Sequence, residues 1–80
     1  MQNVTNAERE FMFYKIGTAG SFHTALIETI FRADTRNRAR LALGFPEDVE
    51  VVTRFQNESG YWEDLRARWK ESTGNEAPAL

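Results

Sequence analysis

The chain has 80 residues, with ten Lys and Arg against twelve Asp and Glu for a net charge of −2, and it contains no cysteine. That length allows one domain at most, burying roughly 60% of the surface the unfolded chain would expose. The lack of cysteine excludes disulfides and thiolate metal sites, which leaves helix packing or self-association as the means of stabilising so small a core.

The near-balanced charge argues against a protein that wraps nucleic acid through bulk charge. Six Phe, two Tyr and two Trp supply the apolar area of a folded chain. Met1 to Arg9 is polar and carries Glu8, without the basic and apolar regions of a secretion signal, and no apolar run approaches the ~20 residues of a membrane span. A cytoplasmic location without membrane contact is the expectation.

In chain order, Thr5-Asn6-Ala7-Glu8 matches a capping box, in which hydroxyl and carboxylate each satisfy an orphan backbone N–H. It predicts a first helix to about Ile16, with Ala7, Phe11 and Tyr14 on one face and Gly17 as the left-handed residue that ends it. The second helix, Ser21 to Ala33, is the segment around which the rest is expected to pack. Phe22, Leu26 and Ile30 form one row on a 3.6-residue period and His23, Ile27 and Phe31 the next, with Ser21 as N-cap.

Asp34 or Thr35 starts a third helix through about Leu43, with Leu41, Ala42 and Leu43 on its buried side and Gly44 at its end. Phe45-Pro46-Glu47-Asp48 reads as the start of a fourth helix, proline standing in the first turn and the acids near the positive end of the dipole. That helix extends to about Gln56, carrying Val49, Val51, Val52 and Phe55. After the turn at Asn57 to Gly60, Trp62, Leu65 and Trp69 form the apolar stripe of a last helix from Tyr61 to about Glu71, with Asp64 and Arg68 as an i,i+4 pair. The expected fold is all-α, a compact bundle of four to five short helices over residues 1–71, followed by a disordered tail over residues 72–80.

Catalytic chemistry finds little material. His23 is the single histidine, lies on an apolar row and lacks partner residues, so a structural role is expected. Glu47, Asp48 and Glu50 are explained as first-turn acids without a metal, and neither a metal site nor a cofactor is implied. Gly17, Thr18, Gly20 and Ser21 bracket a helix N-terminus and make a candidate phosphate loop, although the strand and Gly-Lys-Ser/Thr ending of a P-loop are missing.

The most telling feature is the charge layout. Residues 31–44 hold Arg32, Arg36, Arg38 and Arg40 against Asp34 alone, and residues 45–60 hold Glu47, Asp48, Glu50 and Glu58 against Arg54 alone. Such a chain is polarised despite its small net charge. Arg32, Arg36, Arg38, Arg40 and Tyr61 are the candidate contact residues; the arginines form a solvated basic face or meet the acidic fourth helix of the same chain or of a second copy, another acidic partner, or the phosphates and base edges of a nucleic acid.

Gly44-Phe45-Pro46-Glu47, Val49-Glu50, Arg54-Phe55 and Glu58 with Gly60-Tyr61-Trp62 together resemble small uncharacterised proteins of bacterial genomes and their phages or mobile elements, over about residues 16 to 69. The resemblance implies a short cytosolic protein that acts by binding a host component, and it assigns no activity. The expected function is therefore a non-enzymatic helical interaction protein that self-associates. The alternatives are a nucleic-acid-binding regulator using the arginine-rich helix and a nucleotide or phosphate binder of the anti-defence type.

Overall fold

A computed structural model describes residues 3–78, and these form five helices and no strand. They are α1 (Asn6–Ile16), α2 (Ser21–Arg32), α3 (Thr35–Gly44), α4 (Pro46–Asn57) and α5 (Tyr61–Thr73). The capping box forms as expected: Thr5 Oγ1 accepts from the Glu8 N–H at 3.1 Å and Glu8 Oε1 accepts from the Thr5 N–H at 3.0 Å. Gly17 closes α1 at φ 95°, a conformation in which a Cβ is strained. Asp34 caps α3 by accepting from the Asn37 N–H at 2.8 Å. Ser21 is not the N-cap of α2; Gly20 holds that position without a side-chain bond, and Ser21 is already helical.

The packing centre is α4, not α2. It lies against each of the other four helices, whereas α2 packs chiefly on α1 and α4. Val49, Val51 and Val52 are all buried, and on a 100° step they span an arc of about 160°, against about 100° for Leu26, Ile27 and Ile30 of α2. Short β-branched side chains around so wide an arc admit neighbours on several sides. Phe22, expected in the apolar row of α2, is 59% exposed, because it stands where that helix overruns the core.

An aromatic cluster joins the layers. Phe11 of α1 is 1% exposed and meets Phe55 at 5.0 Å, Trp62 at 6.1 Å and Phe31 at 6.2 Å between ring centroids. These offset and edge contacts suit the ring quadrupoles. As the stripe on α5 predicts, Trp62, Leu65 and Trp69 are buried.

The C-terminal stretch differs from expectation in its described part. Ser72 and Thr73 belong to the last turn of α5, and Gly74, at φ 77°, reverses the chain. Ala77 is then buried, its carbonyl accepts from Arg66 Nη2 at 3.2 Å, and Glu76 pairs with Lys70 at 2.6 Å. A small apolar residue and one carbonyl acceptor are enough to seat this segment beside Trp69. The expectation for Ala79 and Leu80 lies outside the described residues.

Candidate interaction surface

Helix α3 has an unusual standing in so small a domain, since none of its ten residues is buried. Leu41 and Ala42 only lean on the core, and Leu43, expected on the buried side, is 88% exposed. Packing against α4 and the bonds of Arg38 attach α3. The Arg38 Nη2 donates at 2.7 Å to the Ile30 carbonyl, which also accepts from the Ala33 N–H at 3.2 Å, and its Nη1 donates to Gln56 Oε1 at 2.7 Å and Thr53 Oγ1 at 3.2 Å on α4. Arg38 is thus a strut within the fold, turned away from the other arginines. It meets α4 through neutral groups and not through that helix's acids.

Arg32, Arg36 and Arg40 are exposed and make no ion pair among the described residues. Arg36, Arg40 and Leu43 stand at i, i+4 and i+7, one stripe on the face of α3 opposite Arg38. Arg36 occupies the first turn, where a positive charge opposes the helix dipole, so helix stability does not explain it. Arg32 at the end of α2 and Arg40 face each other across a groove of about 440 Å³ lined also by Thr29, Ala33, Asn37 and Leu41.

Beyond the last turn of α3, the exposed Phe22 ring lies 6.0 Å from Phe45, the single residue joining α3 to α4. Glu47 and Glu50 follow at once on the exposed side of α4. Because α4 doubles back beside α3, with Arg38 reaching Thr53 and Gln56, the exposed side of this helix pair carries basic, apolar and acidic groups.

Tyr61 is not part of this surface. It is 1% exposed, and its hydroxyl donates to Glu8 Oε2 at 2.7 Å. Arg68 donates to both oxygens of the same carboxylate at 2.8 Å, to Asp64 at 2.9 Å and to the Asn3 carbonyl at 3.0 Å. Burial alone pushes the Glu8 carboxyl up, but the bonds from Arg68, Tyr61 and the Thr5 N–H, with the Arg68 charge, outweigh it and bring the pKa down to about 2. Burial and the bond to Glu8 raise the Tyr61 phenol. This buried triad went unseen in the sequence, where Glu8 served only the capping box and Arg68 only its i,i+4 pair; the spacing of 60 residues leaves no local signal.

His23 is half-buried, with Nδ1 3.6 Å from Glu10 Oε1, beside a cavity of about 520 Å³ shared with Glu47 and Asp48. Burial raises the Asp48 carboxyl, and His23 draws it back. No group of His, Cys, Asp or Glu among the described residues is arranged to hold a metal ion. In the candidate phosphate loop, the Gly17 and Thr18 N–H groups are spent on the Phe13 carbonyl at 2.9 Å, closing α1. Gly20 and Ser21 remain at the uncapped start of α2. Among the described residues, no helix is long and apolar enough to cross a membrane.

Comparison of the chain with protein-family models, with characterised proteins and with solved structures gives no match.

Proposed function

We propose that this chain is a non-enzymatic helical interaction protein that docks through the outer face of α3 and self-associates. The observation that carries the reading is α3 itself, a helix with nothing buried that displays Arg36, Arg40 and an 88% exposed Leu43 on one stripe. Leu43 and, around the corner, the exposed Phe22 on Phe45 add apolar surface beside arginines that make no ion pair among the described residues, the mixed chemistry of an interaction surface. In the phage or mobile-element setting that the sequence resembles, the same face is the one that meets a host component. Sedimentation velocity over a wide concentration range tests the reading: the mean mass rises with concentration from the 9.2 kDa of one chain. A constant 9.2 kDa at all concentrations overturns it.

One observation favours nucleic acid as a second reading. Arg32 and Arg40 converge with Asn37 on the groove between α2 and α3, a set able to hold phosphate and read a base edge. Against it stand the exposed Glu47 and Glu50 at the start of α4. Gel-shift titrations from low to high salt decide, since phosphate contacts are strongest at low salt. Absence of binding there dismisses the reading.

A further inference from the structure

We infer that the partner covering α3 is a second copy of the chain, docked about a two-fold axis with the two α3 helices antiparallel. The inference rests on the self-association reading above and specifies its surface and symmetry. A two-fold contact uses the same patch on both copies, so the patch must complement itself. A uniformly basic helix fails this requirement because like charges meet.

This surface satisfies the requirement in one orientation. Arg36 lies in the first turn of α3 and Leu43 in the last, with Glu47 and Glu50 just past the corner at Phe45. Reversing one copy against the other brings Arg36 toward the partner's Glu47 and lays the aliphatic stem of Arg40 on the partner's Leu43, its guanidinium reaching on to Glu50. Phe22, seated on Phe45 at 6.0 Å, extends the apolar centre of the contact. Parallel docking would oppose arginine to arginine.

The remaining charge on this flank of α4 does not disturb the match. Arg54 Nε is held by Glu58 at 2.8 Å, and its guanidinium lies 4.2 Å from the centre of the Tyr61 ring. Nucleic acid fits the complete patch less well, because the acidic end repels phosphate. The size of the patch sets the strength. A ten-residue helix is about 15 Å long, and with its flanks the contact covers roughly 500 Å² per copy, which is the range of weak, reversible association. Dimer formation is therefore expected at high micromolar concentration and is weakened by salt.

Charge-swapped variants give the test. Arg36→Glu with Arg40→Glu, and separately Glu47→Arg with Glu50→Arg, each convert both contacts of a symmetric dimer into repulsions, so each variant alone loses dimerisation at least tenfold. An equimolar mixture restores both contacts at once and forms a one-to-one heterodimer. Sedimentation velocity and light scattering at low salt read the outcome, with circular dichroism confirming the fold. The first variant places one acid in the first turn of α3, where the dipole favours it, and the other at the exposed position 40, so loss of folding does not account for its monomeric state. Glu47→Gln with Glu50→Gln replaces the second variant should the arginines unfold α4, and its mixture with the first variant regains dimer only in part.

If wild type associates while the variants behave like wild type, the surface is wrong and the self-association reading survives. If wild type stays monomeric, both fall. Growth beyond two copies indicates a head-to-tail contact and overturns the two-fold arrangement.

Discussion

Replacing Glu8 by Gln probes the most deeply buried charge among the described residues. Glutamine keeps the oxygen that accepts from the Thr5 N–H, so the capping box survives, while its NH2 in place of Oε2 cannot accept from Arg68 Nη2 or the Tyr61 hydroxyl, so the substitution removes the ion pair together with those two bonds. Glu8 is 4% exposed and the Arg68 side chain 11%, and two bonds of 2.8 Å join them. Removing one partner of such a pair costs about 3–5 kcal/mol, because the other charge is left buried. Arg68 retains Asp64 at 2.9 Å and the Asn3 carbonyl at 3.0 Å, which places the cost near the lower end, about 3 kcal/mol.

A domain of this size holds on the order of 4–12 kcal/mol in total, so the variant is folded but fragile, its midpoint lower by about 12–24 °C. Urea and thermal unfolding followed by fluorescence of the buried Trp62 and Trp69 give the number. The pH dependence supplies an independent value. Glu8 falls from 4.5 to about 2 on folding, and a lowered carboxyl contributes stability that is complete above pH 4.5 and lost as the pH falls through 2. The shift corresponds to about 2–3 kcal/mol once solvent near the exposed Asp64 is allowed for. Wild type therefore loses that amount between pH 4.5 and 2, while Glu8→Gln does not show this component. A variant within 1 kcal/mol of wild type at pH 7, with the same acid profile, refutes the reasoning; that threshold is roughly the worth of one ordinary neutral hydrogen bond.

Arg38→Met removes the donor from the Ile30 carbonyl and from Gln56, both at 2.7 Å, and lowers stability by about 1–3 kcal/mol; in hydrogen exchange the amides of α3 lose protection before those of α4. Tyr61→Phe flattens the alkaline limb. Because folding raises the phenol above its ordinary 10.0, wild type holds this contribution below pH 10 and loses it as the pH rises further, and in the variant a denaturation series above pH 10 lacks that component. Leu26→Asp places a carboxylate where the chain is 7% exposed and abolishes cooperative unfolding, whereas Phe22→Ser, at a site 59% exposed, leaves the midpoint of the dilute protein within about 0.5 kcal/mol.

Local chemistry explains what the sequence made readable. The capping box at Thr5, the aspartate before α3, the proline opening α4 and the glycine ending α1 each act within four residues, so a reader of the chain sees cause and effect together. Helix periodicity likewise found Trp62, Leu65 and Trp69 on α5. What stayed hidden depends on where helices end up. Phe22 belongs to the apolar row of α2 by spacing, yet it is bare because that helix projects past its neighbours. Leu43 shares the fate of Phe22 at the far end of α3. The role of α4 was masked by its composition, since three valines look less like a core than Phe22 to Phe31 does. Ala77 gave no signal, as its burial follows from one glycine reversal and one carbonyl.

The arginines show most clearly what the sequence leaves unresolved. Four residues that look alike in the chain divide by helical angle. Arg38, two positions from each of Arg36 and Arg40, faces the opposite way and spends its guanidinium on the end of α2 and on α4. Its neighbours Arg36 and Arg40 make no ion pair among the described residues. This division gives α3 its character. No residue of the helix is buried, and it is held by the partly covered Leu41 and Ala42 together with the Arg38 bonds, so it belongs to the less stable part of the fold. A ligand or second copy that binds only docked α3 must stabilise it by mass action. In the proposed dimer, association and the docking of α3 are coupled through Arg38, which lies outside the proposed contact, so weakening that strut is expected to weaken association. Arg38→Met therefore reduces dimerisation together with α3 protection, while Arg36→Glu with Arg40→Glu reduces dimerisation and leaves the protection of the dilute monomer intact. A variant pair that fails to separate in this way shows that α3 is held by something other than Arg38.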